Sequence, residues 1–237
     1  LHHVNAGRKT LNEKMGIRKM FDAIAGRYDL MNRVMTMGQD QRWRRFVVER
    51  AGDPGDGITL DLATGTGDIA ALSRRMHAES TVVGGDFSIN MLTEARKRFG
   101  GSGISWQAMD ANCLPYGDDV FESATFGYLL RNVEDVVGVL QEVKRVLKKG
   151  GRVVCLDTTP PARNFLYPFI QLYLRFIIPL LGRMIAKDAE AYTYLTGSTM
   201  NFYSAEDLAR TFEEAGFAGV GYKKFMLGTI AVHWGVK

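Results

Sequence analysis

Residues 58–68 read Ile58-Thr59-Leu60-Asp61-Leu62-Ala63-Thr64-Gly65-Thr66-Gly67-Asp68, and this stretch decides the fold. A short run of β-prone residues gives way to a Gly-rich turn, and from 69 to 76 the apolar side chains recur at helical spacing. Strand, tight turn and helix open a βαβ unit. Outward from there, 81–86 predicts a second strand ending in Asp86, and 88–99 a helix that Ser88 can cap. Strands are predicted again at 104–109 and 121–126. A helix over 133–147 runs into Lys148-Lys149-Gly150-Gly151, a pattern that stops helices, and 152–157 predicts a fifth strand. Strands alternating with helices predict an α/β fold built on a parallel sheet.

The flanks depart from that alternation. Residues 11–50 carry Met20, Phe21, Ile24, Tyr28, Met31, Val34 and Met35 at three-to-four spacing, which predicts an N-terminal helical cap. After the fifth strand, 160–203 predicts an apolar helical insertion and 205–215 another helix. Two strands, 220–226 and 229–234, then follow with only Leu227-Gly228 prominent between them and should pair as an antiparallel hairpin. The expected organisation is one domain over 1–237. It comprises a cap at 11–52, a ligand-binding core at 58–157, the insertion at 160–203, and a closing helix and hairpin at 204–237.

Composition excludes several classes. The 237 residues are 46% hydrophobic and 24% charged, the balance of a globular chain rather than a disordered or fibrous one. Cys113 and Cys155 cannot form a disulfide scaffold, and a reducing, cytoplasmic setting is the simplest expectation. The net charge of +4 is unevenly spread: residues 1–52 carry eleven Lys/Arg against five Asp/Glu, the remainder nineteen against twenty-one. The basic segment could meet nucleic acid, anionic lipid or an acidic ligand, or be a solvated helical face. Residues 1–20 lack the continuous apolar run of a signal peptide. The stretch FLYPFIQLYLRFIIPLLGRMIA at 165–186 is long enough to span a bilayer but holds Pro168, Gln171, Arg175, Pro179 and Arg183. A central arginine costs roughly 2.5–3.5 kcal/mol on insertion, so no spanning helix is expected. Tyr167, Gln171, Arg175, Pro179 and Arg183 fall on one i+4 row, leaving a broad apolar face. That face either seals the core or meets a greasy ligand or a membrane surface.

In an open parallel sheet the ligand lies beyond the carboxyl ends of the strands. Gly65 and Gly67, with Ala70, make a Gly-x-Gly-x-x-Ala turn, and Asp86 stands nineteen residues beyond Gly67, placed for ribose hydroxyls. These features suit NAD or S-adenosylmethionine equally; alone they would be a tight turn and a surface acid. Asp61 and Asp68 flank the turn, which disfavours a pyrophosphate and suits a cofactor carrying an amino group and a sulfonium. Asp110, before Ala111, ends the third strand where an adenine amino group could be read. His77 and His233 have no partner at metal-ligand spacing and are expected to be structural.

LDLATGTGD at 60–68, VVGGDFSINML at 82–92, AMDANCLPYGDDVFE at 108–122 and RVLKKGGRV at 145–153 resemble the successive motifs of class I S-adenosylmethionine-dependent methyltransferases. More narrowly, MFDAIAGRYDLMN at 20–32, Arg131-Asn132-Val133, KDAEAYTYL at 187–195 and GTIAVHWGVK at 228–237 resemble the ubiquinone/menaquinone biosynthesis C-methyltransferases. The resemblance implies a Rossmann-like, seven-stranded, mostly parallel sheet with a C-terminal antiparallel hairpin. It implies S-adenosylmethionine as methyl donor, S-adenosylhomocysteine as product, and a prenylated demethylquinol methylated at a ring carbon. It assigns cofactor binding to Asp61, Ala63, Thr64, Gly65, Thr66, Gly67, Asp86, Phe87, Met91, Asp110, Ala111 and Thr125. It assigns the substrate to Tyr28, Asn32, Tyr128 and Arg131, and the chemistry to Arg131, Asn132 and Asp157. Arg131 and Asn132 are expected to hold a developing phenolate; the base is a water they orient or a carboxylate such as Asp157.

Three features depart from the family pattern. Tyr128-Leu129 is inserted before Arg131-Asn132, Asp157-Thr158 stands in place of Glu-Phe, and Asp110 in place of Asn. The first two touch the acceptor side and leave open a soluble phenol as acceptor. An RNA methyltransferase is the reading from another class, but the basic segment lacks interleaved aromatics and no Asn-Pro-Pro-aromatic motif follows the fourth strand. No nucleic-acid partner is therefore expected. The expected location is cytoplasmic, peripheral at the inner face of a membrane. A homo-oligomer is compatible with the sequence, which carries no signal for it.

Overall fold

The computed structural model describes residues 28–161, 165–181 and 197–237, besides Gly16. The cap motif upstream of Tyr28, Arg183 and the 187–195 motif lie outside these residues. The described chain opens with α1 (Tyr28–Met35) and α2 (Asp40–Ala51). The core then alternates β1 (Ile58–Leu62), α3 (Asp68–Met76), β2 (Thr81–Asp86), α4 (Ile89–Phe99), β3 (Ser105–Ala108), β4 (Phe121–Gly127), α5 (Val136–Val146) and β5 (Leu147–Thr158). Tyr167–Leu172, Tyr173–Ile177 and Ile178–Leu181 run on as one helix, α6, with a π-helical middle. Helix α7 (Ala205–Glu214), β6 (Ala218–Phe225) and β7 (Ile230–Val236) complete the chain.

The seven strands form one sheet in the order β3-β2-β1-β4-β5-β7-β6. All are parallel except β7, which is antiparallel to β5 and to β6. Central β5 shows why the sheet needs helices on both faces. Val153 and Cys155 belong to the cluster packed under α5 and α7, with Leu140, Val143, Leu208 and Phe212. Val154 and Leu156, alternating with them, belong to the opposite cluster around Trp43 and Val47 of α2. Val136, Val139, Leu140, Val143 and Val146 form the buried stripe of α5. Edge strand β6 instead exposes Tyr222, Lys223 and Lys224, a charged edge that discourages further pairing.

Local signals act as expected at several ends. Ser88 Oγ accepts from Met91 N at 3.1 Å and caps α4. The hairpin forms with Phe225 opposite Ile230, though its turn takes in Met226, whose φ of 46° and that of Leu227 at 55° are left-handed.

Three expectations shift. The cap is broken between α1 and α2, where Met37 and Gly38 take φ of 51° and 75°. Helix α5 starts three residues late, because Leu130–Asn132 forms a 3-10 turn and Asp135 caps the helix by accepting from Gly138 N at 2.7 Å. Lys148-Lys149-Gly150-Gly151 is not a helix stop but a bulge inside β5, where register jumps from Phe121↔Leu147 to Ser123↔Arg152. Lys237 pins that bulge: Gly150 N donates to Lys237 O at 3.1 Å and Lys237 N to Gly151 O at 2.9 Å.

Candidate active site

Beyond the carboxyl ends of β1, β2 and β4 lies a cleft enclosing about 760 Å³ of open space. Its floor is the turn after β1. Ala63, Gly65 and Gly67 all take left-handed φ, of 50°, 56° and 90°. A Cβ at Gly67 would stand 2.5 Å from the Trp106 ring, so that glycine is required by packing. A Cβ at Gly65 would meet no protein atom within 4 Å, and Gly65 lines the cleft, so a ligand can approach its bare backbone.

Asp61 organises the turn from beneath. It is buried, accepts from Thr64 Oγ1 at 2.6 Å, Thr125 Oγ1 at 2.8 Å and Ala70 N at 3.2 Å, and contributes to the cleft wall. Burial pushes its carboxyl up to about 6, against the pull of those three hydrogen bonds and with nearby Asp86 adding to the rise. Asp86 ends β2, accepts from Gly65 N and Ser88 N, each at 2.8 Å, and also lines the cleft. These contacts fix Asp86 at the cleft wall, and a carboxylate is an acceptor suited to a diol. The donors and acids here fit an adenosyl group with a cationic tail, and Phe87 and Met91 supply apolar contact beside Asp86.

Of the residues expected at the cofactor, the cleft gathers Asp61, Ala63, Thr64, Gly65, Thr66, Asp86, Phe87 and Met91. Gly67 and Thr125 stand behind them as supports and do not form the wall. Asp110 and Ala111 are also off the wall. Asp110 Oδ1 accepts from Asn112 N at 2.9 Å and Asn112 Nδ2 at 2.6 Å, while Ala111 packs into the main core. Sequence reading missed Arg44, Ile69 and Leu156, which also line the cleft. Arg44 and Leu156 come from α2 and β5, elements that no motif ties to the turn.

A second cavity of about 550 Å³ adjoins the first, and Tyr128 is in the wall of both. Tyr128 makes this partition: it sits at φ 60°, a strained conformation for a large side chain, with its N–H donated to Leu156 O at 2.7 Å. Arg131 and Asn32, both expected at the substrate, line the second cavity. Tyr28 opens α1, and its side chain lies outside the described parts. Asn132 lines the first cavity and donates from Nδ2 to Tyr128 O at 2.8 Å.

Arg131 is buried with its guanidinium 4.7 Å from the centre of the Tyr128 ring. Its Nη1 donates to Thr158 Oγ1 at 3.3 Å and lies 3.5 Å from Asp157 Oδ1. Asp157 also accepts from Thr158 N at 2.8 Å and Arg131 N at 3.3 Å, which places it behind Arg131 and not on the cavity wall. Burial raises the Asp157 carboxyl, and the Arg131 charge draws it back. Two buried donors in this wall, Arg131 Nε and Asn32 Nδ2, have no hydrogen-bond partner among the described residues. Thr158, Tyr173, Met226 and Thr229, also in the wall, were not anticipated; they converge only through folding of β5, α6 and the hairpin turn.

The sheet order, the antiparallel last strand and a ligand turn after β1 define a class I methyltransferase. The sequence pattern of the ubiE/COQ5 methyltransferase family matches residues 8–237, and the chain belongs to that family. It is 70% identical over 227 residues to the ubiquinone/menaquinone biosynthesis C-methyltransferase UbiE of Desulfotalea psychrophila, covering 96% of this chain and 92% of that one. It is 37% identical to the demethylmenaquinone methyltransferase of Roseiflexus castenholzii, with 93% of each covered. Among solved structures, a SAM-dependent methyltransferase from Thermotoga maritima superposes with a TM-score of 0.65 at 19% identity, over 93% of this chain and 99% of that one, a likeness of fold.

Proposed function

We propose that this enzyme methylates a ring carbon of a prenylated quinol, a demethylmenaquinol or the corresponding ubiquinone precursor, with S-adenosylmethionine as donor. The observation that carries the reading is the second cavity. It adjoins the cofactor cleft through Tyr128, and its largely apolar wall holds two buried N–H donors without a partner among the described residues. Buried donors without partners are costly, so a ligand oxygen between Arg131 and Asn32 would remove that cost. A quinol hydroxyl is such an oxygen on an otherwise apolar ring.

When bound, S-adenosylmethionine supplies an electrophilic methyl group. The protein's tasks are then alignment and acceptor activation. Alignment across the Tyr128 partition makes a bimolecular encounter effectively unimolecular. Arg131, with Asn132 holding the Tyr128 backbone, stabilises the oxyanion that forms as the ring hydroxyl passes its proton to a water in the cavity. This raises electron density at the adjacent carbon, which takes the methyl group and then releases its own proton to water. Asp157 and Thr158 fix the guanidinium. Asp86 takes the ribose hydroxyls at the end of β2.

The substrate's tail has a route. A third apolar cavity of about 920 Å³ shares Tyr173, Met226 and Thr229 with the second and is walled by Leu166, Phe169 and Ile170. At its mouth Phe169, Met37 and Leu227 are exposed, and so are Phe165, Leu172 and Phe176 of the same helical region. A concentration of exposed apolar side chains of this kind marks an interaction site; we read it as the face laid on the cytoplasmic side of a membrane, from which a prenylated substrate is drawn. Among the described residues no helix is long and apolar enough to cross a membrane.

The test is incubation with methyl-labelled S-adenosylmethionine and a reduced demethylquinol in detergent, followed by mass analysis of the lipid extract. One added methyl on carbon is expected; binding of S-adenosylhomocysteine without transfer would redirect the search to a soluble phenol. Arg131→Ala should cut turnover at least tenfold and leave S-adenosylhomocysteine affinity within about twofold. Equal loss of both would refute the assignment. Liposome co-sedimentation of wild type but not Phe169→Ser/Phe176→Ser is expected for the membrane face, and equal sedimentation of both would exclude it.

A further inference from the structure

Four charged residues line the cofactor cleft among those described: Asp61, Asp68, Asp86 and Arg44. An adenosyl-methionine ligand brings the reverse inventory, two cationic groups and a single carboxylate. The acids suit its hydroxyls and its cationic groups. A carboxylate approaching the same wall would be repelled by the acids, and Arg44 is the cation placed to receive it.

Arg44 is held for that role. It is buried on α2, its Nη1 lies 3.1 Å from Asp40 Oδ2, and it pairs with Asp68 at the start of α3. Those acids are themselves shared. Arg33 Nε lies 3.9 Å from Asp40 Oδ1, and Arg98 Nη2 lies 2.8 Å from Asp68 Oδ1. Among the described residues three guanidiniums and two carboxylates share this cluster, and Arg44 is its cation in the cleft wall. The cluster also joins three elements, because Arg98 Nη1 donates to Thr66 O of the turn at 3.2 Å. A guanidinium presents a fixed planar fork of five donors, the geometry that takes a carboxylate bidentately.

We propose that Arg44 binds the carboxylate of the cofactor's methionine end, so that the N-terminal cap contributes a ligand to the cofactor site. This rests on the S-adenosylmethionine reading above. The experiment is calorimetric titration of the unloaded protein with S-adenosylhomocysteine and with its decarboxylated analogue, which keeps the adenosyl and ammonium groups. Wild type should prefer the carboxylate-bearing ligand by about 10- to 100-fold, the range of a hydrogen bond to a charged group. Arg44→Met should erase that preference while binding the decarboxylated analogue within about twofold of wild type. Arg44→Lys, which keeps the charge and loses the fork, should recover part of it. If Arg44→Met weakens both ligands equally, with its circular dichroism and melting unchanged, the residue only supports the turn and the proposal is overturned. A wild type that binds both ligands with equal affinity overturns it as well. If wild type binds neither ligand, it is the cofactor reading that fails.

Discussion

Replacing Asp61 by asparagine should change how stability depends on pH, by an amount set by burial. In the folded protein the Asp61 carboxyl titrates at about 6, against 3.8 for an unperturbed aspartate, chiefly because burial penalises the charge. Between pH 4 and 6 the unfolded chain has lost this proton and the folded one has kept it, so stability falls as pH rises through that window. A separation of about two pH units corresponds to about 3 kcal/mol, fully present above pH 6. The Asp61→Asn variant would carry no such penalty. The new amide oxygen can still accept from Thr64 Oγ1 and Ala70 N, and the amide nitrogen can donate to a rotated Thr125 hydroxyl, so the hydrogen-bond frame survives in altered form. Urea unfolding of both proteins from pH 4 to pH 7.5 supplies the measurement. The stability difference, variant minus wild type, should grow by about 3 kcal/mol across the series and then level off. Other titrating groups cancel in that difference. Curves that stay parallel within about 0.5 kcal/mol would refute the idea that a strained buried charge sits beneath the turn. The same logic predicts proton release when a cationic ligand binds near pH 6, because an ammonium close to Asp61 favours its ionised form.

Burial holds the His233 imidazole down at about 4, between the rings of Phe212 and Tyr222, with Nε2 at 2.9 Å from Ala205 O. The unfolded chain protonates first below about pH 6.5, so up to about 3 kcal/mol of stability is lost as pH falls toward 4; His233→Gln should flatten that limb in acid titrations of the melting temperature. Gly67→Ala should cost about 1–3 kcal/mol, because it combines a left-handed φ with a clash against Trp106. Gly65→Ala should cost about 1 kcal/mol and act mainly on S-adenosylhomocysteine affinity, since its Cβ would enter open space. Thermal melts paired with ligand titrations separate the two glycines, and equal behaviour would contradict the geometry. Ser88→Ala should lose about 1 kcal/mol through the α4 cap, read by urea unfolding with no change in the slope.

The elements that could be read from residues were those whose physics is local. Ile58–Leu62 alternates with nothing polar except Thr59 and Asp61, Gly65 and Gly67 announce a turn, and Ser88 announces a cap. Each follows from backbone sterics or one hydrogen bond within a few positions of chain. That is why 60–68 and 82–92 led to the turn, to Asp86 and to the strand order of a known fold. Lys148–Gly151 was misleading for the complementary reason. Its lysines and glycines satisfy a helix-stop pattern locally, but Lys237, eighty-six residues beyond Gly151, makes it a bulge through hydrogen bonds that no window contains.

The site divides in the same way. Asp61, Gly65 and Asp86 were legible because strand ends converge wherever a parallel sheet forms. Arg44 was not, since its place in the cleft wall depends on α2 packing Trp43 and Val47 against the sheet, a matter of side-chain volume. Asn32 and Arg131 could be singled out by resemblance, but that their donors, unpaired among the described residues, share one largely apolar cavity follows from α1, the Tyr128 kink and the hairpin turn meeting there. Sequence alone determined the order of elements and the chemistry at the strand ends, because those follow from short-range stereochemistry. Only the tertiary structure decided which distant side chains face one another across the cleft, because that depends on long-range packing.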